Sequence, residues 1–387
     1  MTGQGSIAIG DPTIITGSRT SSLGNDNGTI ASNESGIVGN DNILTGSSGI
    51  HVIGNKNTAG GKNALIFGNN AIVSADNGVA IGESSHSNTQ RAIAIGNNAV
   101  SGNAVTGGTG SEVDTIAIGT NSQSLGNSGV AMGKGSTAFT KNSVAIGTGS
   151  IGGSTGLGSS AVAIGDGASA KGGNGIALGT GASANNIKNI AIGYQTETGS
   201  TQVVGGNTDI QNVSIGTKTG QRMSGQNNVF FGTEAGNKSS GNGNLAFGLR
   251  AGNKVNGHTN TAIGMDSGLN VTGLSNTAIG LNAGQNVTAN GGGSNVAIGT
   301  NAGQNVTTTS SGGGDNIAIG TNAGRNVTSS IGHNTAVGHS AGQNIIGTNN
   351  VAFGSGSGQN VVGDNNTSMG INAGIGVKSS SNVSIGS

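Results

Sequence analysis

Ser143-Val144-Ala145-Ile146-Gly147 recurs with small changes along the chain, as SIAIG at 6–10, GVAIG at 78–82, NTAIG at 260–264 and NVAIG at 295–299. Val144 and Ile146 are two apart, so they share one face of an extended strand while Ala145 points to the other. The middle position is nearly always Ala or Ser, which says that something approaches closely on that side. The glycine then supplies the backbone freedom for a turn. A second, shorter strand is expected beyond it, at Gly167-Ala168-Ser169-Ala170 in one class of repeat and Gln285-Asn286-Val287-Thr288 in the other. Two short strands and two turns per repeat make one coil of a narrow, all-β, parallel β-solenoid, with coils ~4.8 Å apart.

The spacing of the anchor glycines divides the chain. Gly54, Gly68, Gly82 and Gly96 are 14 apart, as are Gly119, Gly133 and Gly147, and again Gly165, Gly179 and Gly193. From Gly216 the period is 16, through Gly232, Gly248, Gly264 and Gly280, and it resumes at Gly354, Gly370 and Gly386. Gly299, Gly320 and Gly338 at irregular spacing between these runs, and weaker copies at Gly10, Gly24 and Gly39, bring the total to 24 anchors. Residues 1–49 therefore read as irregular N-terminal β-roll repeats, 50–193 as 14-residue repeats, 194–215 as a junction and 216–387 as 16-residue repeats. Two extra residues per coil are expected to lengthen the second strand and widen the coil. The 23-residue gap between Gly193 and Gly216 is where coils are expected to break or re-register.

Composition closes off other classes. Of 387 residues, 80 are glycine, 1 is proline, none is cysteine or tryptophan, and 2% are aromatic. A conventional core built on large aromatic side chains is excluded, and so is collagen, which needs glycine at every third position with abundant proline. Lys+Arg and Asp+Glu are 15 each, so no excess of cations drives nucleic-acid binding by counterion release. No stretch approaches the ~20 apolar residues of a membrane-spanning helix. The start, MTGQGSIAIG, lacks the basic and long apolar segments of a secretory signal.

One coil offers too little apolar surface to offset ~1–2 kcal/mol of backbone entropy per ordered residue. Stacking helps, and a homotrimer with the aliphatic strands facing a shared axis helps further. The residues expected to form that buried column are Ile81, Ile95, Ile118, Val144, Ile146, Ile164, Ile192, Ile215, Ile263, Ile279, Ile298 and Ile319. Gly82, Gly96, Gly147, Gly165, Gly264, Gly280 and Gly299 are the expected turn glycines.

NSVAIGTGS at 142–150 and NGIALGTGASA at 174–184 resemble the head repeat of YadA-like trimeric autotransporter adhesins, a unit also found in phage fibres. The resemblance is clear over about 50–200, looser over 1–49, and over 212–386 it keeps the anchor with a longer coil. It implies a trimeric, left-handed parallel β-roll and a non-enzymatic adhesive role. No secretion signal, heptad stalk, basic neck or C-terminal barrel is recognised, so the expectation leans towards a phage tail or side fibre acting as spacer and host-attachment surface. The alternatives are the head of a bacterial trimeric adhesin, and a self-assembling or ice-binding rod. The expected location is a virion or the cell surface. The expected partners are copies of itself, other fibre or tail proteins and a host surface receptor, glycan or protein, without nucleic acid or membrane insertion.

Motifs with chemical meaning read blandly. Gly147-Thr148-Gly149-Ser150-Ile151-Gly152 matches GxGxxG, but no helix follows to hold a pyrophosphate. Gly133-Lys134 lacks the remainder of a phosphate-binding loop. The histidines, at 51, 86, 258, 333 and 339, lie in different coils, so neither metal nor cofactor is expected. Glu112 and Asp114 are the only closely spaced acids suited to a carboxylate pair, and read as solvated loop residues. Asn270-Val271-Thr272, Asn286-Val287-Thr288, Asn305-Val306-Thr307 and Asn326-Val327-Thr328 match a glycosylation acceptor, yet read as wall residues with valine inward. A stacked Asn or Thr column could present a regular face, which insertions at 289–294 and 308–314 are expected to interrupt. Function in solenoids often sits in such insertions. Glu112, Asp114, Tyr194 and Asp209 are the receptor-contact candidates.

Overall fold

The computed structural model describes residues 2–10, 13–46, 48–103, 114–154, 158–198, 211–311 and 313–386. These residues form a parallel β-solenoid, with short strands joined by turns and no helix among them. The chain divides into two compact units, residues 1–187 and 188–387.

In the first unit, twelve anchor strands run from Ile7–Ile9 to Ile176–Leu178, each pairing in parallel with the next coil. The middle residues align: Ala94 sits over Ala117, which sits over Ala131, then Ala145 and Ala163. A second ladder of nine two-residue strands, Ile43–Leu44 to Ser169–Ala170, forms another wall. Ala94, Ala117, Ala131, Ala145 and Ala163 are all fully buried, as are Ser124, Ala138 and Ala170 of the second wall, and Ala138 packs with Ala131 and Ala145. The interior is therefore one small side chain deep. Only the earliest coils hold larger residues there, such as Ile37, Val52 and Ile66.

The anchor glycine makes the close stacking work. At Gly147 φ is 127°, and a Cβ placed there would lie 2.3 Å from the carbonyl oxygen of Gly165 in the next coil. Gly82, Gly96, Gly165, Gly264, Gly280 and Gly299 share this positive φ and the same approach to the following coil. In L-residues that backbone region is forbidden and the space is already occupied, so the repeat length is marked by glycine for two independent reasons.

In the second unit, twelve anchor strands from Ile190–Ile192 to Val383–Ile385 form an unbroken parallel ladder. Ile190, Ala191 and Ile192 pair with Val213, Ser214 and Ile215. Lys218 and Glu197 add the backbone bonds Lys218 N–H to Tyr194 O and Glu197 N–H to Thr219 O. The anchor strands on either side of the expected junction thus pair in register, while residues 199–210, on which most of the expected break falls, lie outside the described residues.

The longer coil also differs from expectation in where its two residues go. Residues 281–286 form a continuous turn, and the second strand begins only at Thr288. Gln285 and Asn286 belong to the turn, because Asn286 adopts a left-handed φ of 57° that ends any extended run. The longer turn carries Ala283 and Val287 inward, so the coil encloses two further apolar columns. One is Ala283, Ala302, Ala323 and Ala341; the other is Val255, Val271, Val287, Val306, Val327, Ile345 and Val361. In the first coils Phe230 and Met223 fill the same space.

A polar column completes this interior. Asn212, Asn228, Asn244, Asn260, Asn276, Asn295, Asn316, Asn334, Asn350 and Asn366 are all buried, each just before an anchor strand. The Asn244 side-chain oxygen accepts the backbone N–H of Asn260 at 3.0 Å and its Nδ2 at 3.1 Å. Asn260 Nδ2 also donates to the Gly273 carbonyl at 3.1 Å. Repetition of this arrangement satisfies polar groups that would otherwise be costly to bury.

Candidate interaction surfaces

Because the alanine faces inward, its two aliphatic neighbours face outward from the chain. Ile164, Ile263, Ile279, Ile298 and Ile319 keep 36–40% of their surface exposed. Ile81, Ile95, Ile118, Val144, Ile146, Ile192 and Ile215 are half-buried. The expected isoleucine column is therefore not enclosed by the individual chain, whose inner face in these coils is closed by alanine or serine. The column exists in register on the outer face of each unit, extended in the second by Phe231, Phe247, Phe353 and Met369. Phe231 and Phe247 stack at a centroid separation of 5.4 Å. Contiguous exposed apolar surface of this kind marks an interaction site.

The receptor-contact candidates separate. Tyr194 is exposed, at 51%. Asp114 is engaged with Arg91 through Nε–Oδ1 at 2.5 Å and Nη2–Oδ2 at 3.0 Å. The hydrogen bond from Arg91 holds the Asp114 carboxyl below the usual carboxylate range. Glu112 and Asp209 lie outside the described residues, and so does the geometry of the Glu112/Asp114 pair.

Among the described residues, no group of three or more His, Asp or Glu side chains comes together. His258 accepts the Asn242 backbone N–H at Nδ1, 3.0 Å, and His333 lies 3.4 Å from Asp315 and 3.3 Å from Asn349.

The Asn-Val-Thr tripeptides line up more regularly than the insertions between them suggest. Val271, Val287, Val306 and Val327 are buried, while Thr272, Thr288, Thr307 and Thr328 pair strand to strand. Asn270, Asn286, Asn305, Asn326, Asn344 and Asn360 form an outer amide ladder with contacts of 2.8–3.1 Å. The expected interruption does not occur, because extra residues are absorbed beyond Thr288 and Thr307, where Thr288–Gly293 extends as a strand.

The inner asparagine ladder was not anticipated from the sequence, although its signal was in view as the first letter of NTAIG and NVAIG.

With the fold in place, comparison with known families gives one result. The model of the YadA head domain repeat (2 copies) matches residues 59–82, 74–99, 111–136, 124–150 and 157–187. No curated protein matches the chain. The 74–99 match contains two consecutive anchor strands, Val79–Ile81 and Ile93–Ile95, so the matched unit and the structural coil coincide. YadA heads are structural, adhesin-type modules displayed outside the cell. The segments of this chain matched between residues 59 and 187 are similar to YadA head domain repeats.

Proposed function

We propose that this chain is a non-enzymatic fibre protein, a homotrimer of parallel solenoids that serves as spacer and adhesion surface outside the cell. The observation that carries this reading is the division of the anchor strands into a sealed inner side, alanine in most coils, and an open aliphatic side. A chain whose interior is already filled by small residues gains nothing within itself from outer Ile, Val and Phe residues. Burying them at ~25 cal/mol per Å² is available only against another surface. Identical chains in register present the same rows at the same spacing, so copies of itself are the matching occupants, and the similarity to YadA head repeats within 59–187 supports three as the number. The same match favours the trimeric adhesin head over the virion fibre as the closer analogue.

The test is the mass of the whole chain by light scattering, with circular dichroism on the same sample. The expected result is three times the 36.8 kDa chain mass with a β spectrum. A monomer at micromolar concentration overturns the reading.

A further inference from the structure

Five of the chain's fifteen Lys and Arg residues fall within 218–254, where Glu234 is the one acid. The coils sort these charges into two columns. Two residues after the anchor glycine stand Lys218, Glu234, Arg250 and Asp266, which alternate in sign; Arg250 and Asp266 form a bidentate pair at 2.6 Å. Six residues after it stand Arg222, Lys238 and Lys254, all exposed, of one sign and on consecutive coils. Lys238 N–H bonds to Gln221 O and Lys254 N–H to Asn237 O, which fixes that stacking.

The second column breaks a rule that the six following coils keep. From Asn270 to Asn360 the same position is asparagine in every coil, with φ of 56–61° and a continuous amide ladder. Asparagine suits both demands, since it tolerates the left-handed region and bonds to its own kind. Arg222, Lys238 and Lys254 adopt the same φ, 57–60°, without either benefit, and they stack like charges besides. A local preference abandoned in three consecutive coils, beside a column showing that charges can alternate here, points to function.

The three cations border a polar cleft of about 350 Å³, which Lys218, Gln221, Asn237, Asn253 and a single acid, Glu234, also line, so the cleft carries four cations against one carboxylate. The Asn237 side-chain oxygen is buried there and accepts no hydrogen bond from the protein. That oxygen asks for a donor, while the cations ask for an anion. No aromatic side chain lines the cleft to stack a base.

We propose that this cleft binds an acidic saccharide, one carrying carboxylate or sulfate groups among free hydroxyls. The anions would meet Arg222, Lys238 and Lys254, and a hydroxyl would donate to Asn237. The proposal rests on the reading of the chain as an adhesion surface and gives that surface a ligand class.

The experiment uses the full chain with fluorescent heparin octasaccharide, an oligogalacturonate, a neutral maltooligosaccharide and single-stranded DNA. Binding of at least one acidic saccharide is expected, the first two probes separating sulfate from carboxylate. The triple variant Arg222→Asn, Lys238→Asn, Lys254→Asn should weaken that binding at least about tenfold and flatten its salt dependence. Its melting temperature should hold or rise, because it restores the residue used in the other coils. Asn237→Ala should weaken saccharide binding while keeping the salt dependence. The proposal is overturned if neither acidic saccharide binds, if the triple variant binds as the wild type does, or if DNA binds as tightly and is lost in parallel. Light scattering on the same samples separates the two readings. A trimer that ignores acidic saccharides overturns the cleft alone, and a monomer that binds them overturns the fibre alone.

Discussion

Asn276 donates both its backbone N–H and its Nδ2 to the side-chain oxygen of Asn260 one coil earlier, at 3.0 and 2.8 Å. Asn295 repeats the arrangement on Asn276, with Nδ2 at 2.7 Å. The ladder thus runs one way, each oxygen receiving two donors from the following coil. Such a column ties each coil to its neighbour through polar groups buried inside the wall.

Replacing Asn276 by Leu keeps the volume but leaves Asn295 without the acceptor for its amide and backbone donors. Each orphaned buried group costs about 1–3 kcal/mol, so a clear fall in melting temperature is expected. Asn276→Asp adds a pH signature. Burial of the carboxyl and the opposed Asn260 oxygen outweigh the two Asn295 donors and raise its pKa in the folded state above its unfolded value. The penalty is then largest above the raised pKa and fades as pH falls through it. Thermal scans at pH 7 and pH 4 should show the gap from wild type narrowing in acid. An equal gap at both would contradict a buried column.

Gly147 and Gly149 lie in one turn, both with positive φ, yet only Gly147 is crowded. A Cβ at Gly147 would lie 2.3 Å from Gly165 O, whereas one at Gly149, φ 63°, meets nothing within 4 Å. Asn98 and Asn121 occupy the position equivalent to Gly149 in other coils, with φ of 54° and 57°. Gly149→Asn should therefore leave denaturant stability nearly unchanged. Gly147→Ala adds backbone strain to collision with a neighbouring carbonyl and should destabilise by more than about 3 kcal/mol. Similar losses in the two variants would show that backbone strain alone, and not coil contact, fixes the glycine.

Arg91 and Asp114 form an ion pair, each side chain about half exposed. Because the Asp114 pKa is lowered on folding by the Arg91 hydrogen bond, its contribution is present above the unfolded value. That contribution is lost as pH falls through the depressed folded one. A carbon-detected NMR titration should find Asp114 titrating below an ordinary aspartate, and Arg91→Gln should return it to the usual range. Stability at neutral pH should change little, since an exposed pair is screened.

The coil was legible in the sequence because three signals coincide in five letters. Alternation in Val144-Ala145-Ile146 gives a strand, Gly147 gives a turn, and constant spacing gives the stack. The direction of that strand was harder to read. Periodicity says that Val144 and Ile146 share a face and that Ala145 sits opposite; it does not say which face the chain closes over. The width of the coil decides, and width is a property of both walls together: Ala145 meets Ala138 from the second wall at full burial. Position 276 was misleading for a related reason. A polar letter beside a strand reads as turn and solvent, and only stacking reveals that asparagine can be paid for by its own copies. The placement of the extra residues in the 16-residue coil was likewise hidden, since Asn286 can end a strand as readily as belong to one.

Adjacent residues Ala278 and Ile279 should separate folding from assembly. Ala278 is buried at 4% exposure, with Gly284 so close that an added Cβ there would lie 2.8 Å from the alanine methyl. Ala278→Leu must push the walls apart in a coil held to its neighbours above and below. Overpacking of this kind costs about 1–3 kcal/mol in an ordinary core, and the rigid ladder leaves less room to relax. The variant should lose melting temperature whether or not chains associate. Ile279 is 36% exposed on the individual chain, so Ile279→Asp should leave that chain's β spectrum intact. In a trimer sharing the aliphatic face, however, three carboxylates meet in an apolar seam without a partner, a strongly unfavourable arrangement. The expected outcome is a folded chain of monomer mass. Light scattering and circular dichroism on both variants read the difference. Should Ile279→Asp keep the assembled mass and its melting temperature, the chains do not meet through this face.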